Sequence, residues 1–303
     1  MSASVNKLID LLSENNISYT ANELMSRHTS FKIGGPAEIF AMPSTIEGLC
    51  KVVSLSIDCN VPYFILGKGS NILVSDDGIK GVVVSCENLN RIEINGDIIT
   101  CDCGASLTRC ASEAKNASLA GLSFAYGIPG SIGGAVYMNA GAYGGQISDV
   151  LVSSTYFNPK TKQICTCVGE DHKFGYRESI YKENPDWIIL SAEFKLTEGD
   201  QDKIKAEMDD FMDRRRSKQP LEYPSAGSTF KRYPGHFTGQ LIEESGLKGK
   251  MIGGAQVSEK HAGFIINKSN ATSKDVKELI NFVKSTIKSN YGFEIECEVI
   301  FVG

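Results

Sequence analysis

Apolar positions recur with a helical period at the start of the chain. Val5, Leu8, Ile9 and Leu12 stand at i, i+3, i+4 and i+7 and predict an amphipathic helix. Ile46, Leu49, Val53 and Ile57 predict a second one, begun near Ser44 or Thr45. Between them, residues 27–36 read as a loop with a glycine turn. Tyr63 to Leu66 reads as a strand, residues 67–71 as a tight turn, and Ile72 to Ser75 as another strand. From Gly81 the pattern changes. Val82 to Cys86, Arg91 to Ile94 and Ile98 to Cys101 are short strands separated by turns such as Asn95-Gly96-Asp97. A helix over Leu107 to Ala117 and a glycine-rich centre follow. Strands are then predicted at Val150 to Phe157, Gln163 to Val168 and Ile188 to Lys195.

Residues 203–216 form a predicted helix with Ile204, Met208, Phe211 and Met212 on one stripe. Arg215 falls on the same stripe, so its guanidinium must snorkel to water or meet an anion. A loop-rich stretch leads to a helix carrying Val276, Leu279, Ile280, Val283 and Ile287, with Ser273 as N-cap and Gly292 as its stop. The end of the chain alternates strictly, which predicts a strand with Glu294, Glu296 and Glu298 on one face. Glu294 and Glu296 fit a solvated edge. Glu298 shares its face with Ile300 and Val302, where desolvation disfavours a charged carboxylate. The whole reads as an α+β protein of three domains, over residues 1–80, 81–200 and 201–303.

Composition adds limits. At 303 residues with 42% hydrophobic and 22% charged positions, the chain is an ordinary globular protein. A net charge of −5 argues against nucleic acid or an anionic membrane as partner. No apolar run reaches the roughly 18 residues of a membrane span. The first residues lack the unbroken apolar core of a secretory signal, so the expected location is the cytosol. The nine cysteines are irregularly spaced without a C-x-x-C pair, which points to reduced, mostly buried thiols and away from zinc. The four histidines are scattered and do not group as ligands.

The chemistry concentrates in residues 127–145, where seven of nineteen positions are glycine. Ile128, Ile132, Val136, Tyr137 and Met138 run through this stretch, which a flexible linker rarely tolerates. Bare amides of Gly130, Ser131, Gly133 and Gly134 suit a concave nest for phosphate oxygens. The spacing fits neither a dinucleotide-binding βαβ fingerprint nor a P-loop. Gly67-Lys68-Gly69-Ser70 likewise has the wrong spacing for a P-loop.

Four stretches together carry a resemblance: Gly67 to Asp76, the central glycine run, Phe174-Gly-Tyr-Arg-Glu-Ser179 and Ala226-Gly-Ser-Thr-Phe-Lys231. Gly239 to Gly249 and Gly254 to Asn267 fit as well. In order and spacing the chain resembles the UDP-N-acetylenolpyruvoylglucosamine reductases, flavoenzymes of bacterial cell-wall precursor synthesis, from about Arg27 to Val302. It is similar to the shorter subclass, which lacks an added substrate-covering loop. The resemblance implies a vanillyl-alcohol-oxidase-like FAD-binding module in the first two domains. It also implies a third domain that closes over the substrate, with the last strand returning to the active site.

The resemblance further implies non-covalent FAD, NADPH as hydride donor, and UDP-N-acetylglucosamine enolpyruvate as substrate. Leu66, Gly67, Lys68, Gly69, Ser70, Asn71 and Ile72 are implied on the FAD pyrophosphate, as are Gly127, Pro129, Gly130, Ser131, Gly133 and Gly134. Asn139, Gly141, Ala142, Tyr143 and Gly144 are implied near the flavin, and Arg215 at a phosphate. Arg177 is implied at the substrate carboxylate, which its fork binds bidentately. Ser228 is implied as proton donor, Glu298 as a neutral hydrogen-bond or proton donor, and Lys231 at the sugar's diphosphate. Arg232-Tyr233-Pro234 departs from the family's usual Asn-Pro after Phe-Lys. A monomer in the bacterial cytoplasm is expected. The competing readings are another FAD oxidase of the same flavin fold and a non-catalytic FAD-binding subunit. Neither needs Arg177, Ser228 and Glu298 together.

Overall fold

The computed structural model describes residues 2–303. The first predicted helix runs Ala3–Glu14 and buries Val5, Leu8 and Leu12. The second runs Ile46–Asp58, with the Thr45 hydroxyl accepting the Gly48 N–H at 3.0 Å. The core under these helices also takes in Ile39, Ala41, Val82 and Val84. Those four come from a four-stranded sheet in the order Ser18–Leu24, Pro36–Met42, Ile79–Ser85, Tyr63–Leu66. The first two strands are not visible in the sequence pattern. Ser18–Leu24 is an edge strand exposed along most of its length, so no period of two marks it.

A second sheet has five antiparallel strands in the order Gln163–Val168, Leu151–Asn158, Ile188–Lys195, Ile98–Asp102, Ile92–Asn95. Its buried face packs on helix Leu107–Asn116 and on the short helix Ile132–Tyr137 inside the glycine run. The chain divides into two compact units. One comprises Met1–Thr20, Ile39–Lys68 and Gly81–Arg214, and the other Ala21–Glu38, Gly69–Lys80 and Arg215–Gly303. Of the boundaries expected from sequence, the one at 80 falls at the break between Lys80 and Gly81, while the one at 200 falls inside the first unit.

In the second unit, Met251–Ile252, Ala255–Val257 and Ile265–Asn267 form an antiparallel sheet. Helix Ser273–Tyr291 buries Val276, Leu279, Ile280, Val283 and Ile287 in the core of this unit. Its N-cap is Thr272, one residue before the expected Ser273, because Thr272 and Asp275 close a reciprocal capping box. Gly292 ends it in a left-handed conformation, φ +80°. The last strand is shorter than the alternation predicts. Ile300–Val302 pairs parallel to Ile72–Val74, and before it only an isolated antiparallel bridge joins Cys297 to Phe230.

None of the nine cysteines is in a disulfide, and six of them are buried. Among the described residues no helix is long and apolar enough to cross a membrane, and no cluster of metal-ligating side chains occurs.

Candidate active site

The glycine run folds into several tight pieces. Ser131 caps the helix Ile132–Tyr137. That fold uses up most of the amides expected to form a bare phosphate nest. Gly130 N–H donates to Ile128 O at 2.9 Å and Gly133 N–H to Cys103 O at 2.8 Å. Gly134 N–H donates to Ser131 Oγ at 3.4 Å. The nest expected there is therefore corrected: three of its four donors are satisfied inside the protein.

What remains is close backbone approach. A Cβ on Gly67 would lie 2.2 Å from Ser131 Oγ. Leu66-Gly67-Lys68 therefore touches the Gly130–Gly134 segment through bare backbone, and only glycine permits it. Gly127, at φ +83°, donates its N–H to Thr108 Oγ1 at 3.2 Å, and Pro129 is exposed beside it. Gly141–Ala142 and Gly145–Gln146 form a hairpin. Its turn residues Tyr143 and Gly144 both have positive φ, +55° and +92°, the pattern of a type I′ turn. The Tyr143 ring stacks on Phe211 at 4.6 Å.

Arg177 is built onto this run. It occupies the third position of a turn closed by Gly175 N–H to Glu178 O at 3.1 Å and Glu178 N–H to Gly175 O at 3.2 Å. Its φ is +58°, where turns of this kind prefer glycine. Holding arginine there costs about 1–3 kcal/mol, so neighbours must hold the turn. Asn139, itself at φ +40° and 2% exposed, does so. Its Nδ2 donates to Gly175 O at 3.0 Å, and its Oδ1 accepts the Ser148 N–H at 3.0 Å. The Arg177 guanidinium in turn donates to Asn139 O at 3.5 Å and Gly141 O at 3.2 Å. Asn139, expected at the flavin, has its side chain committed to shaping the arginine turn.

The remaining site residues lie in the second unit. Gly69 cannot carry a side chain, since a Cβ would meet His28 O at 2.1 Å. Ser70 is half-buried. Asn71 O accepts the Ile300 N–H at 3.0 Å, and Asn71 Nδ2 donates to Glu298 O at 3.3 Å. Residues 69–72 are thereby tied to the chain end, with Ile72 opposite Ile300. Arg215 is 7% exposed, so it does not snorkel to water.

Ser228 is exposed and its neighbour Thr229 buried. Thr229 is a hub. Its N–H donates to Gly263 O at 2.8 Å, its Oγ1 accepts the Ile265 N–H at 3.0 Å, and its carbonyl accepts the Glu298 N–H at 2.8 Å. No period or spacing in the sequence marks this threonine, because its partners Gly263, Ile265 and Glu298 lie far along the chain. Lys231 pairs with Glu296 twice, through Lys231 N–H to Glu296 O at 2.9 Å and through Nζ to Oε2 at 2.9 Å. Glu298 is half-buried, yet not for the reason expected. The buried face at the chain end belongs to Ile295 and Val299, while Ile300 on Glu298's own face is 36% exposed. The apolar flank expected for Glu298 is absent from that face.

Residues 37–167 match the FAD binding domain family, and residues 219–302 match the C-terminal domain of UDP-N-acetylenolpyruvoylglucosamine reductase. The fold and the glycine-built surface thus define an FAD-dependent oxidoreductase of α+β architecture. A UDP-N-acetylenolpyruvoylglucosamine reductase of Clostridium novyi is 50% identical over 282 residues, 93% of this chain and 91% of that one. One of Clostridium tetani is 47% identical over 299 residues, 99% of this chain and 96% of its own. The crystal structure of the reductase from Thermus caldophilus superposes with a TM-score of 0.81 at 32% identity, covering 95% of this chain and 99% of that one. The chain belongs to the UDP-N-acetylenolpyruvoylglucosamine reductase family.

Proposed function

We propose that the protein reduces the enolpyruvyl group of UDP-N-acetylglucosamine enolpyruvate to the lactyl ether, giving UDP-N-acetylmuramate for peptidoglycan precursor synthesis. The observation that carries this reading is the anchoring of Arg177 on carbonyls of Asn139 and Gly141, within the segment matched to an FAD-binding domain. The arginine that binds the acceptor is held by the segment that binds the cofactor.

The residues present fit FAD. The Gly67–Ser131 approach, where a Cβ would meet Ser131 Oγ at 2.2 Å, holds the two glycine segments side by side. By the resemblance, Leu66 to Ile72, Gly127 to Gly134 and Asn139 to Gly144 would hold the cofactor, and Arg215 would serve a phosphate. No residue in the glycine run offers the histidine or cysteine that covalent flavin attachment uses, so the FAD dissociates. When bound, FAD would supply the redox chemistry, carrying a hydride equivalent from NADPH to the enolpyruvyl methylene carbon.

The chain's own residues manage charge and protons. Arg177 binds the substrate carboxylate bidentately and stabilises the negative charge that grows there during reduction. Ser228 delivers a proton to the carbon bearing that carboxylate, which completes the lactyl centre. The resemblance also implies Glu298 as a neutral donor to the same charge; its N–H donates to the Thr229 carbonyl beside Ser228. Lys231 serves the diphosphate, for which its bond to Glu296 must open. The family's three-domain division, a cytoplasmic location and a monomer acting without nucleic acid or membrane belong to the same proposal. A net charge of −5 supports the last of these.

An anaerobic absorbance trace tests the reading. One equivalent of NADPH should bleach the flavin band, and UDP-N-acetylglucosamine enolpyruvate should restore it. Bleaching without recovery would reject the substrate, and no flavin band after reconstitution with FAD would reject the cofactor site.

A further inference from the structure

Ser154, His172 and Tyr181 form a buried polar chain that the roles above leave unused. Their exposures are 1%, 0% and 0%. His172 Nδ1 lies 2.9 Å from Gly169 O, a pure acceptor, so Nδ1 carries the proton and Nε2 is left as an acceptor. Ser154 Oγ lies 2.7 Å from Nε2 and donates to it. The Tyr181 hydroxyl, 2.5 Å from Ser154 Oγ, donates to that oxygen in turn. With a neutral imidazole this order gives every donor in the chain an acceptor. Burial lowers the His172 pKa and keeps it neutral. Phe174 stacks on the imidazole at 5.0 Å and 2°.

The placement of this chain is informative. Ser154 sits on the strand Leu151–Asn158 of the five-stranded sheet. His172 and Tyr181 bracket the segment that carries Gly175, Tyr176, Arg177 and Glu178. One serine on a rigid sheet therefore pins both ends of the Arg177 segment, while Asn139 grips its middle. A turn that must keep arginine at φ +58° needs such support. We infer that Ser154, His172 and Tyr181 are positioning residues for Arg177, fixing the guanidinium for the substrate half of the reaction. This rests on the reading of Arg177 as the carboxylate-binding residue.

Full-length, FAD-loaded Tyr181→Phe and Ser154→Ala test it, with Arg177→Lys as reference. Tyr181→Phe removes one oxygen and keeps the ring beside Tyr156 and Trp187. Stopped-flow rates normalised to bound flavin should show reoxidation by substrate slowed about tenfold. Reduction by NADPH should stay within about twofold, and the substrate's apparent Kd should change less than the limiting rate. Hydrogen exchange at the Gly175 and Glu178 amides should rise, while the strand Leu151–Asn158 exchanges as in the parent. Equal slowing of both half-reactions, or unchanged exchange with an unchanged substrate rate, would overturn the inference. A slow Arg177→Lys beside a parent-like Tyr181→Phe would reject the positioning chain alone. A parent-like Arg177→Lys with faster exchange in Tyr181→Phe would reject the role of Arg177 instead.

Discussion

Arg177 and Ser228 are held in opposite ways. The Arg177 turn depends on side chains: the Asn139 amide on Gly175 O, and the guanidinium on the carbonyls of Asn139 and Gly141. The segment around Ser228 depends mainly on main-chain bonds, from Thr229 to Gly263, Glu298 to Thr229 and Lys231 to Glu296. Main-chain bonds survive substitution. The serine can therefore be changed without disturbing its frame, whereas the frame of the arginine fails when a neighbour is changed.

The largest effect tests the first half of that contrast. Ser228→Ala should slow flavin reoxidation by the enolpyruvyl substrate by about 10²–10⁴-fold, the range of a positioned proton donor. Reduction by NADPH and the urea midpoint should match the parent. Rapid-mixing absorbance separates the two steps. Equal loss in both, or a lower midpoint, would mean that the serine carries structure after all.

Asn139→Ala tests the second half. It deletes the acceptor of the Ser148 N–H and the donor to Gly175 O in a buried setting. Each partner left unsatisfied costs about 1–3 kcal/mol, so a loss of about 2–4 kcal/mol in urea unfolding is expected. Reoxidation by substrate should slow with it. An Asn139→Ala protein with parent stability and rate would show that the turn stands unaided and would erase the contrast.

Much of this architecture was legible in the periodicity. Ile188–Lys195 and Gln163–Val168 fall where alternation put them, and Thr45 caps the second helix where its start was expected. The failures have physical causes. Strict alternation from Glu294 to Val302 marks two faces without saying which one is covered, and Ile295 and Val299 took the buried side. The glycine run looked like a row of bare amides because a sequence does not show that Cys103 O reaches Gly133. The anchors of Arg177 lie 38 and 36 residues before it, beyond any spacing rule. The position of Arg215 on its stripe, by contrast, followed from the helical period, and the residue is buried as that period requires.

Thr229 is where the second unit departs from main-chain support, because its hydroxyl accepts the Ile265 N–H. Thr229→Val should cost about 1–2 kcal/mol for that orphaned amide, while Thr229→Ser, which keeps the oxygen, should cost less. The Glu298-to-Thr229 and Thr229-to-Gly263 bonds persist in both variants. The substrate half-reaction, per folded molecule, should then stay within about threefold of the parent. A tenfold loss in Thr229→Val that Thr229→Ser restores would place Ser228 in the same side-chain-dependent class as Arg177.

The smallest effect lies in the capping box of the last helix. The Asp275 carboxylate accepts the Thr272 N–H at 3.0 Å and the Gly254 N–H at 3.1 Å. Its pKa is lowered, first by the Thr272 N–H, against an opposing effect of burial. A carboxylate with a depressed folded pKa contributes stability that is present above its unfolded value, about 3.9. That contribution fades as pH falls through the folded value. Because the group is only partly buried, screening limits it to about 0.3–1 kcal/mol. Thermal melts of parent and Asp275→Asn should therefore differ most at neutral pH and converge as the pH falls below about 4. Parallel curves across that range would mean that the carboxylate charge contributes nothing there. The second unit would then owe its helix start to the Thr272 hydroxyl and the main chain, which widens the contrast with the arginine turn.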